Sequence, residues 1–278
     1  MDYLDRESAP FTKEDWANLD NAVIVAARQQ LVGRKMIDVL GPLGSGIYTL
    51  PYSVFGNAGA AEVNLTGDKE GDVVAAENRK MAQFPLIYKD FKIQWRDVET
   101  DRKLGLPLDV SAAAVAAEVL SVQEDELVFR GNEELGQEGL LNAKGRLIAK
   151  AADWNVNGGA LDSIVAAVSK LTSAGYYGPY ALAVSPVLFG RMIRVHSASG
   201  ILELDQIKTL VGGGVYATGV LKDNEAVLVA AGAQNVSLAI GQDMVTAYLG
   251  PVSMNHMFRV METCSLLIRR PNAICTIE

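Results

Sequence analysis

The sequence predicts an α+β fold, with helices and long loops in its first part and a strand-rich second part. Three patterns support this expectation. The stretch from Asp109 to Gly131 is alanine-rich, lacks an internal glycine or proline, and predicts one helix of about 20 residues. Helical spacing of apolar residues also marks residues 12–31 and 161–175. From Tyr180 onward, short runs rich in β-forming residues are separated by turn residues.

The composition limits the class of protein. With 278 residues, 49% of them hydrophobic and 21% charged, the chain can bury a substantial core. Its net charge of -8, without a dense Lys/Arg cluster, disfavours nucleic acid as a partner, because that affinity comes mostly from cationic contacts to phosphates. No apolar run approaches the roughly 18 residues that span a bilayer, so we expect a cytoplasmic protein without a membrane partner. Cys264 and Cys275 stand in apolar surroundings and predict buried free thiols.

The first helix has a clear predicted beginning. Thr12 is the expected N-cap, and Asp15 can reach back to it in a capping box. Phe11, just before the cap, can pack on Trp16 as a hydrophobic staple. An apolar stripe at helical spacing then continues to about Leu31 and predicts a helix with one buried face.

A turn, a short strand and a long excursion are expected after this helix. Residues 33–42 predict a turn, a short apolar strand and a Gly-Pro break. Residues 43–83 are rich in Gly, Ala and Asn, with strand-like fragments at 47–54 and 62–66. A hairpin of this kind cannot bury itself, so it makes sense mainly in an assembly.

The remaining elements follow from alternation and turn residues. Residues 84–98 predict a strand with one buried face, on which Phe91, Ile93 and Trp95 point the same way. After the 20-residue helix, a second amphipathic helix is expected at 161–175, preceded by Gly158-Gly159 and stopped by Gly175. The later strands are predicted at Tyr180–Ser185, Gly214–Val220, Glu225–Ala231, Val236–Ile240, Met244–Leu249, Met257–Thr263 and Ser265–Ile268.

The residue pattern predicts no catalytic site, metal or cofactor. His196 and His256 are the only histidines, and neither stands at a metal-ligand or triad spacing. The glycines of residues 41–46 lack the Gly-Lys-Ser/Thr ending of a phosphate loop. Because catalytic groups can assemble in space from distant residues, a soluble hydrolase with an unrecognised site stays an alternative.

Motifs along the whole chain resemble encapsulin shell proteins, which are relatives in fold of tailed-phage major capsid proteins. The two most specific motifs are Ala-Pro-x-Thr-x-x-x-Trp-x-x-x-Asp-Asn at residues 9–21 and Gly-Arg-Lys-x-x-Asp-Val-x-Gly-Pro at residues 33–42. The other matching motifs are Glu124-Asp125-Glu126, Val128-Phe129-Arg130-Gly131, Gly139-Leu140-Leu141, Gly178-Pro179-Tyr180, Gly212-Gly213 and Gly241-Gln242-Asp243.

The resemblance implies an α+β, tailed-phage major capsid protein-like fold. Its parts are an N-terminal helix with the first strand (1–42), an extended loop (43–83), a peripheral domain with a long spine helix (84–174), an axial domain (175–250), and C-terminal strands returning to the peripheral domain (251–278). By resemblance, the extended loop lies across a neighbouring subunit.

The resemblance also implies a function. Encapsulins are bacterial or archaeal nanocompartments, icosahedral shells that self-assemble from about sixty copies or a multiple of that number. The shell encloses a cargo enzyme through the cargo's C-terminal targeting peptide; common cargoes are a ferritin-like protein for iron storage and a dye-decolourising peroxidase. Family matching places peptide docking at Ala27, Leu31, Arg34, Asp38, Asp243 and Met244. It places the five-fold pore loop, which passes small molecules or ions, at His196, Ser197, Ala198, Ser199 and Gly200.

Two further points concern the family. Some members stack a flavin on a tryptophan near Trp95, but we interpret this residue as a packed strand aromatic and predict no flavin. A phage or prophage major capsid protein that packages DNA is the closest alternative. It should carry a scaffolding or maturation segment near its N-terminus, whereas this chain opens on the predicted helix.

Overall fold

Two β-sheets and the helices packed on them organise the chain in the computed structural model, which describes residues 3–56, 59–68, 71–197 and 199–278. The helices are α1 (Lys13–Gln30), α2 (Gly33–Met36), α3 (Trp95–Leu104), α4 (Ser111–Arg130), α5 (Gly159–Ser173), α6 (Pro186–Met192) and α7 (Glu203–Val211). Within the described ranges, no helix has both the length and the apolar character needed to cross a membrane.

The strands alternate with these helices along the chain. They are β1 (Asp38–Leu40), β2 (Thr49–Val54), β3 (Asn78–Gln83), β4 (Leu86–Ile93), β5 (Gly131–Asn132), β6 (Gln137–Glu138), β7 (Leu147–Ala149), β8 (Tyr180–Val184), β9 (Gly212–Ala217), β10 (Ala226–Ala230), β11 (Val236–Val252), β12 (Asn255–Ile268) and β13 (Ile274–Ile277).

The first sheet has the strand order β1-β11-β12-β4. β1 runs parallel to β11, and the other neighbours are antiparallel. The second sheet has the order β7-β13-β10-β8-β9, with β7–β13 and β8–β9 parallel. Residues 175–250 therefore contribute strands to both sheets, because β11 belongs to the first sheet and β8 to β10 belong to the second. The division into peripheral and axial domains stays a prediction.

Two main hydrophobic cores pack against the sheets, and the first of them also includes residues of β8, β10 and β13 from the second sheet. The first core joins α1 and α4 to the first sheet, with Leu19, Leu120 and Phe258 buried at its centre. The second core joins α5 and α7 to the second sheet around residues such as Ile164 and Leu228. The free cysteines are buried in different cores, Cys264 in the first and Cys275 in the second, which confirms the prediction of buried free thiols.

Helix α1 begins as its sequence predicts. The Thr12 hydroxyl accepts the backbone N–H of Asp15 at 3.2 Å, and the Asp15 carboxylate accepts the backbone N–H of Thr12 at 2.7 Å. Phe11 packs edge-on against Trp16 with ring centroids 5.4 Å apart. Phe11 also stacks on Phe258 of β12 at 4.9 Å, so the staple fixes the helix to the first sheet.

The predicted 20-residue helix is α4, which spans 20 residues and ends at Gly131 with φ at 72°. A Cβ at Gly131 would lie 2.2 Å from the Gln137 carbonyl oxygen, so both the positive φ and the close approach require glycine. Helix α5 also confirms its prediction, beginning at Gly159 and ending shortly before Gly175. Some predicted strands are longer than expected, since 236–240 and 244–249 are parts of the single strand β11.

Three predictions about the first half are wrong. Residues 33–36 form the short helix α2 rather than a turn, because Asp125 of α4 accepts the backbone N–H groups of Val32 and Gly33 at its start. Residues 62–66 form no strand, since the β2–β3 hairpin offers them no partner to pair with. Trp95 is not a strand aromatic: β4 ends at Ile93, and Trp95 begins α3, where Asn255 accepts its backbone N–H at 3.3 Å.

Candidate functional site

Arg34 holds three acidic side chains from three other elements. Its Nε donates to Glu124 Oε1 at 2.8 Å and its Nη2 donates to Glu124 Oε2 at 2.6 Å. The same Nη2 donates to Glu262 Oε2 at 2.8 Å, and Nη1 donates to Asp243 Oδ1 at 2.7 Å. We call these four residues the Arg34 cluster. It ties α2 to α4, β11 and β12, and thus fixes the start of the chain on the first sheet.

The cluster is buried on one side and open on the other. The side chains of Glu124 and Glu262 are fully buried, whereas that of Asp243 is 58% exposed. Burial lowers the pKa of Arg34, but its hydrogen bond and charge interaction with Glu124 and the charge of Glu262 outweigh that effect and raise it above the ordinary value. Arg34 is therefore a permanent cation between a buried acidic pair and a solvent-facing acid.

Asp125, next to Glu124 on α4, positions Arg34 from the other side. Its buried carboxylate accepts the backbone N–H of Val32 at 3.0 Å and of Gly33 at 2.8 Å, which fixes the turn between α1 and α2. Burial raises the pKa of Asp125 to about 6, and the two backbone hydrogen bonds only partly offset this effect. The Glu124-Asp125 pair thus holds both the turn and the guanidinium that follows it.

The structure brings some of the predicted docking residues together and separates others. Arg34 and Asp243 form the ion pair described above, and Met244 follows on β11. Asp38 is exposed on β1, whose register places it opposite Ser237 of β11. By contrast, Ala27 and Leu31 lie on the buried face of α1, and Leu31 is only 5% exposed.

The sequence patterns did not predict the exposed apolar residues near these positions. Val39 and Leu40 of β1 follow Asp38 directly, and all three residues of this strand face solvent. On α1, Ile24 and Val25 are also exposed. β1 stands at the end of the first sheet, so its outer edge is open among the described strands.

A separate cavity of about 480 Å³ opens beside Asp125, between α1, α4 and the segment after β9. Gln29, Val122 and Tyr216 are among its lining residues, and none of the predicted docking residues lines it. The cavity is therefore a candidate binding site distinct from the exposed strand β1, on which the predicted docking residue Asp38 lies.

The predicted pore loop is fixed at its base. Asn157 accepts the backbone N–H of Ser197 at 2.9 Å and donates to the Val195 carbonyl oxygen at 2.8 Å. Buried Glu203 accepts the backbone N–H of Gly158 at 2.7 Å and pairs with Arg194 at 3.3 Å. Ser197, Ser199 and Gly200 are exposed, His196 is half-buried, and Ala198 lies outside the described residues.

Comparison with known proteins decides the family. Residues 1–265 match the sequence model of a family described as encapsulating protein for peroxidase (Linocin_M18). The chain is also 44% identical over 277 residues to the type 1 encapsulin shell protein EncA of Myxococcus xanthus, covering 100% of this chain and 96% of that protein. The chain belongs to the encapsulin family. This membership makes it a structural shell protein rather than the hydrolase or the DNA-packaging capsid protein considered above.

Solved structures confirm the predicted fold class of this encapsulin. The virus-like particle of Pyrococcus furiosus superposes with a TM-score of 0.75 at 21% identity, covering 95% of this chain and 99% of that one. The capsid of Myoviridae phage XM1 superposes with a TM-score of 0.61 at 11% identity, covering 86% and 88%. The chain thus has the α+β fold of tailed-phage major capsid proteins.

Proposed function

We propose that this encapsulin shell encloses a cargo enzyme in the cytoplasm and retains it through a peptide at the cargo's C-terminus. The family's description as an encapsulating protein for peroxidase supports a cargo of the dye-decolourising peroxidase class. A ferritin-like cargo that stores iron is the second class that the resemblance implies. The chemistry belongs to the cargo, and the shell contributes confinement.

The peptide docks on a surface formed by Arg34, Asp38, Val39, Leu40, Asp243 and Met244, which we call the docking surface. The observation that carries this proposal is the exposed edge strand β1, on which Val39 is 48% exposed, together with the exposed carboxylate of Asp243 that pairs with Arg34. Its open edge can pair with an added strand, and its apolar side chains can be covered by peptide side chains. Buried Ala27 and Leu31 support the surface from within the subunit instead of touching the peptide.

The affinity of one targeting peptide for one docking surface is weak, and a cargo with several peptides binds more strongly. Full burial of a valine side chain stabilises by about 1.5–3 kcal/mol, so covering the exposed half of Val39 contributes about 1 kcal/mol. Ordering the flexible peptide costs part of this gain. A multimeric cargo that occupies several docking surfaces at once is retained through effective concentration.

Ions and small molecules pass through a pore lined by residues 196–200. Support for this role comes from the combination of a base fixed by Asn157 and Glu203 with an exposed tip of small residues. Side chains without bulk leave an opening where several copies of the loop meet around a symmetry axis.

The test of docking is cargo loading into intact shells. We co-express the shell with a fluorescent protein that carries the targeting peptide of a dye-decolourising peroxidase, and we measure fluorescence per purified shell. Val39→Asp should leave closed particles in negative-stain electron microscopy and reduce loading at least fivefold, since about 1 kcal/mol corresponds to about fivefold in affinity and the added charge must also be desolvated.

The matched control is Val165→Asp on α5, where the valine is 47% exposed and packs near the second sheet instead of β1. It adds the same charge at the same exposure, and it should load like wild type. Wild-type loading in the Val39 variant, or equal loss in both variants with intact shells, would show that the docking surface lies elsewhere.

A further inference from the structure

The Arg34 cluster contains more buried negative charge than buried positive charge. Glu124 and Glu262 are both fully buried, and both bind the same guanidinium. Asp243 is largely exposed, so solvent screens its charge. A buried carboxylate without its own counter-charge is strongly unfavourable, so the second buried carboxylate needs another positive partner.

The hydrogen bonds identify the atom where that partner is missing. Arg34 occupies both carboxylate oxygens of Glu124 and the Oε2 atom of Glu262. Glu262 Oε1 is buried and has no hydrogen-bond partner among the described residues. An oxygen of Glu124 lies within 4.8 Å of one of Glu262, and both carboxylates accept a hydrogen bond from the same Arg34 Nη2 atom. A proton on Glu262 would remove the excess charge and satisfy this oxygen at once.

A metal ion fits the same atoms less well. The Cys264 thiol completes a group with Glu124 and Glu262. However, Arg34 already engages three of the four carboxylate oxygens, which leaves one oxygen and one sulfur, whereas a structural zinc site uses four ligands. Burial and the charge of Glu124 raise the pKa of the Cys264 thiol well above its ordinary value and favour its neutral form.

We propose that Glu124 and Glu262 share one proton at neutral pH and that this proton is a pH-sensitive lock joining α2, α4 and β12. Two carboxyl groups this close in a site of low polarity cannot both ionise freely. The charged and titratable groups that face Glu262 are Arg34 from α2, Glu124 from α4, Asp243 from β11 and Cys264 from β12 itself. The lock is a property of the subunit fold and does not depend on cargo docking.

The pKa of Glu262 in the folded state determines how the stability of the subunit changes with pH. Burial and the charge of Glu124 raise the pKa of Glu262 well above 4.5. Unfolding therefore releases one proton from this pair at neutral pH. The stabilisation is complete below about pH 4.5, falls as the pH rises, and is lost above the pKa of the folded state. Each released proton makes the unfolding equilibrium constant rise about tenfold per pH unit.

Proton counting tests the proposal without requiring reversible unfolding. Empty shells are unfolded in guanidinium in a weakly buffered solution at about pH 7.5, and a pH-indicator dye reports the protons released per subunit. Glu262→Gln keeps the shape and a donor toward Glu124 but cannot release a proton. Wild type should release one proton more than this variant. Asp125, whose pKa is about 6, is already ionised at that pH and does not contribute.

The matched control is Glu225→Gln. Glu225 also pairs with an arginine, Arg130, at 2.6 Å, but its pKa is lowered, so it is ionised in both states. The control should release as many protons as wild type. Equal release by wild type and Glu262→Gln would overturn the proposal, as would one tightly bound metal ion per subunit by elemental analysis.

A second measurement covers the case in which Glu262→Gln does not assemble. The infrared spectrum of the wild-type shell at about pH 8 should contain the carbonyl stretch of a protonated carboxyl group, which is separate from carboxylate bands. The band should vanish only when the pH is raised further. Its absence at about pH 8 would show that both carboxylates are ionised in the folded shell and would refute the shared proton.

Discussion

Asp125 offers a sharp test of how the turn between α1 and α2 is held. In the wild type, the carboxylate accepts the backbone N–H groups of Val32 and Gly33 at 3.0 and 2.8 Å. In Asp125→Asn the side chain keeps an oxygen that can accept these N–H groups, but it no longer ionises. In Asp125→Ala both acceptors disappear, and two buried N–H groups lose their partner. The two substitutions separate the hydrogen bonds of this residue from its charge.

The expected magnitudes follow from burial and pKa. The wild-type carboxyl has a folded-state pKa of about 6 against an ordinary value of 3.8. Its contribution to stability is therefore complete below about pH 3.8 and falls by about 3 kcal/mol as the pH rises through 6. Asp125→Asn should lack this fall. Asp125→Ala should also lack this fall. It should cost about 2–6 kcal/mol at about pH 4, because each of the two buried unpaired N–H groups costs about 1–3 kcal/mol, and the cost relative to wild type should shrink by about 3 kcal/mol toward pH 7.

The assay is guanidinium unfolding of purified shells between about pH 4 and 7, followed by tryptophan fluorescence at one fixed subunit concentration. Other titrating groups, including Glu262, contribute equally to wild type and variant, so they cancel in the difference. An Asp125→Asn profile that falls with pH as wild type does would refute the assignment. So would an Asp125→Ala variant within about 0.5 kcal/mol of wild type at about pH 4, where the wild-type carboxyl is protonated.

Two further predictions concern packing and assembly. Phe258→Ala should cost about 3–5 kcal/mol in the same unfolding assay, because the fully buried ring stacks on Phe11 at 4.9 Å and on Phe91 at 5.3 Å. Wild-type stability in this variant would mean that the aromatic contacts do not anchor α1. Replacing residues 56–77 of the extended loop by a short linker should leave circular dichroism of the subunit unchanged but abolish closed particles in electron microscopy, since the described part of this stretch exposes the apolar side chains of Val63 and Leu65. Closed shells from this variant would contradict a role of the loop between subunits.

Local signals determined which elements the sequence could predict. The capping box at Thr12 and the uninterrupted run before Gly131 define α1 and α4 almost to the residue. The error at Trp95 arose because the period-two alternation of Phe91 and Ile93 continues to Trp95, two residues past the end of β4. Charges of opposite sign at Glu99 and Lys103, four residues apart and 3.1 Å from each other in α3, were the available signal for a helix.

The candidate site was harder, because its contacts join distant parts of the chain. Arg34 is separated from Glu124 by 90 residues and from Glu262 by 228, and no local pattern reports such pairings. One clue existed: Glu262 is the only acid in the apolar strand β12. The burial of Leu31 was also readable, since Val23, Ala27 and Leu31 recur every four residues on the buried face of α1.

Arg34 contacts both the buried acids that stabilise the fold and the exposed acid of the docking surface. These two sets of contacts determine which substitutions can test either role. Its removal would leave Glu124 and Glu262 buried without their cation, which typically costs about 3–5 kcal/mol. Loss of cargo in such a variant would therefore not distinguish a damaged docking surface from a damaged subunit. Asp243 is the third partner of the same guanidinium but is 58% exposed, so it contributes little to folding. For this reason docking is best probed from the exposed side of the pair, at β1 and Asp243, and the proton from the buried side, at Glu262.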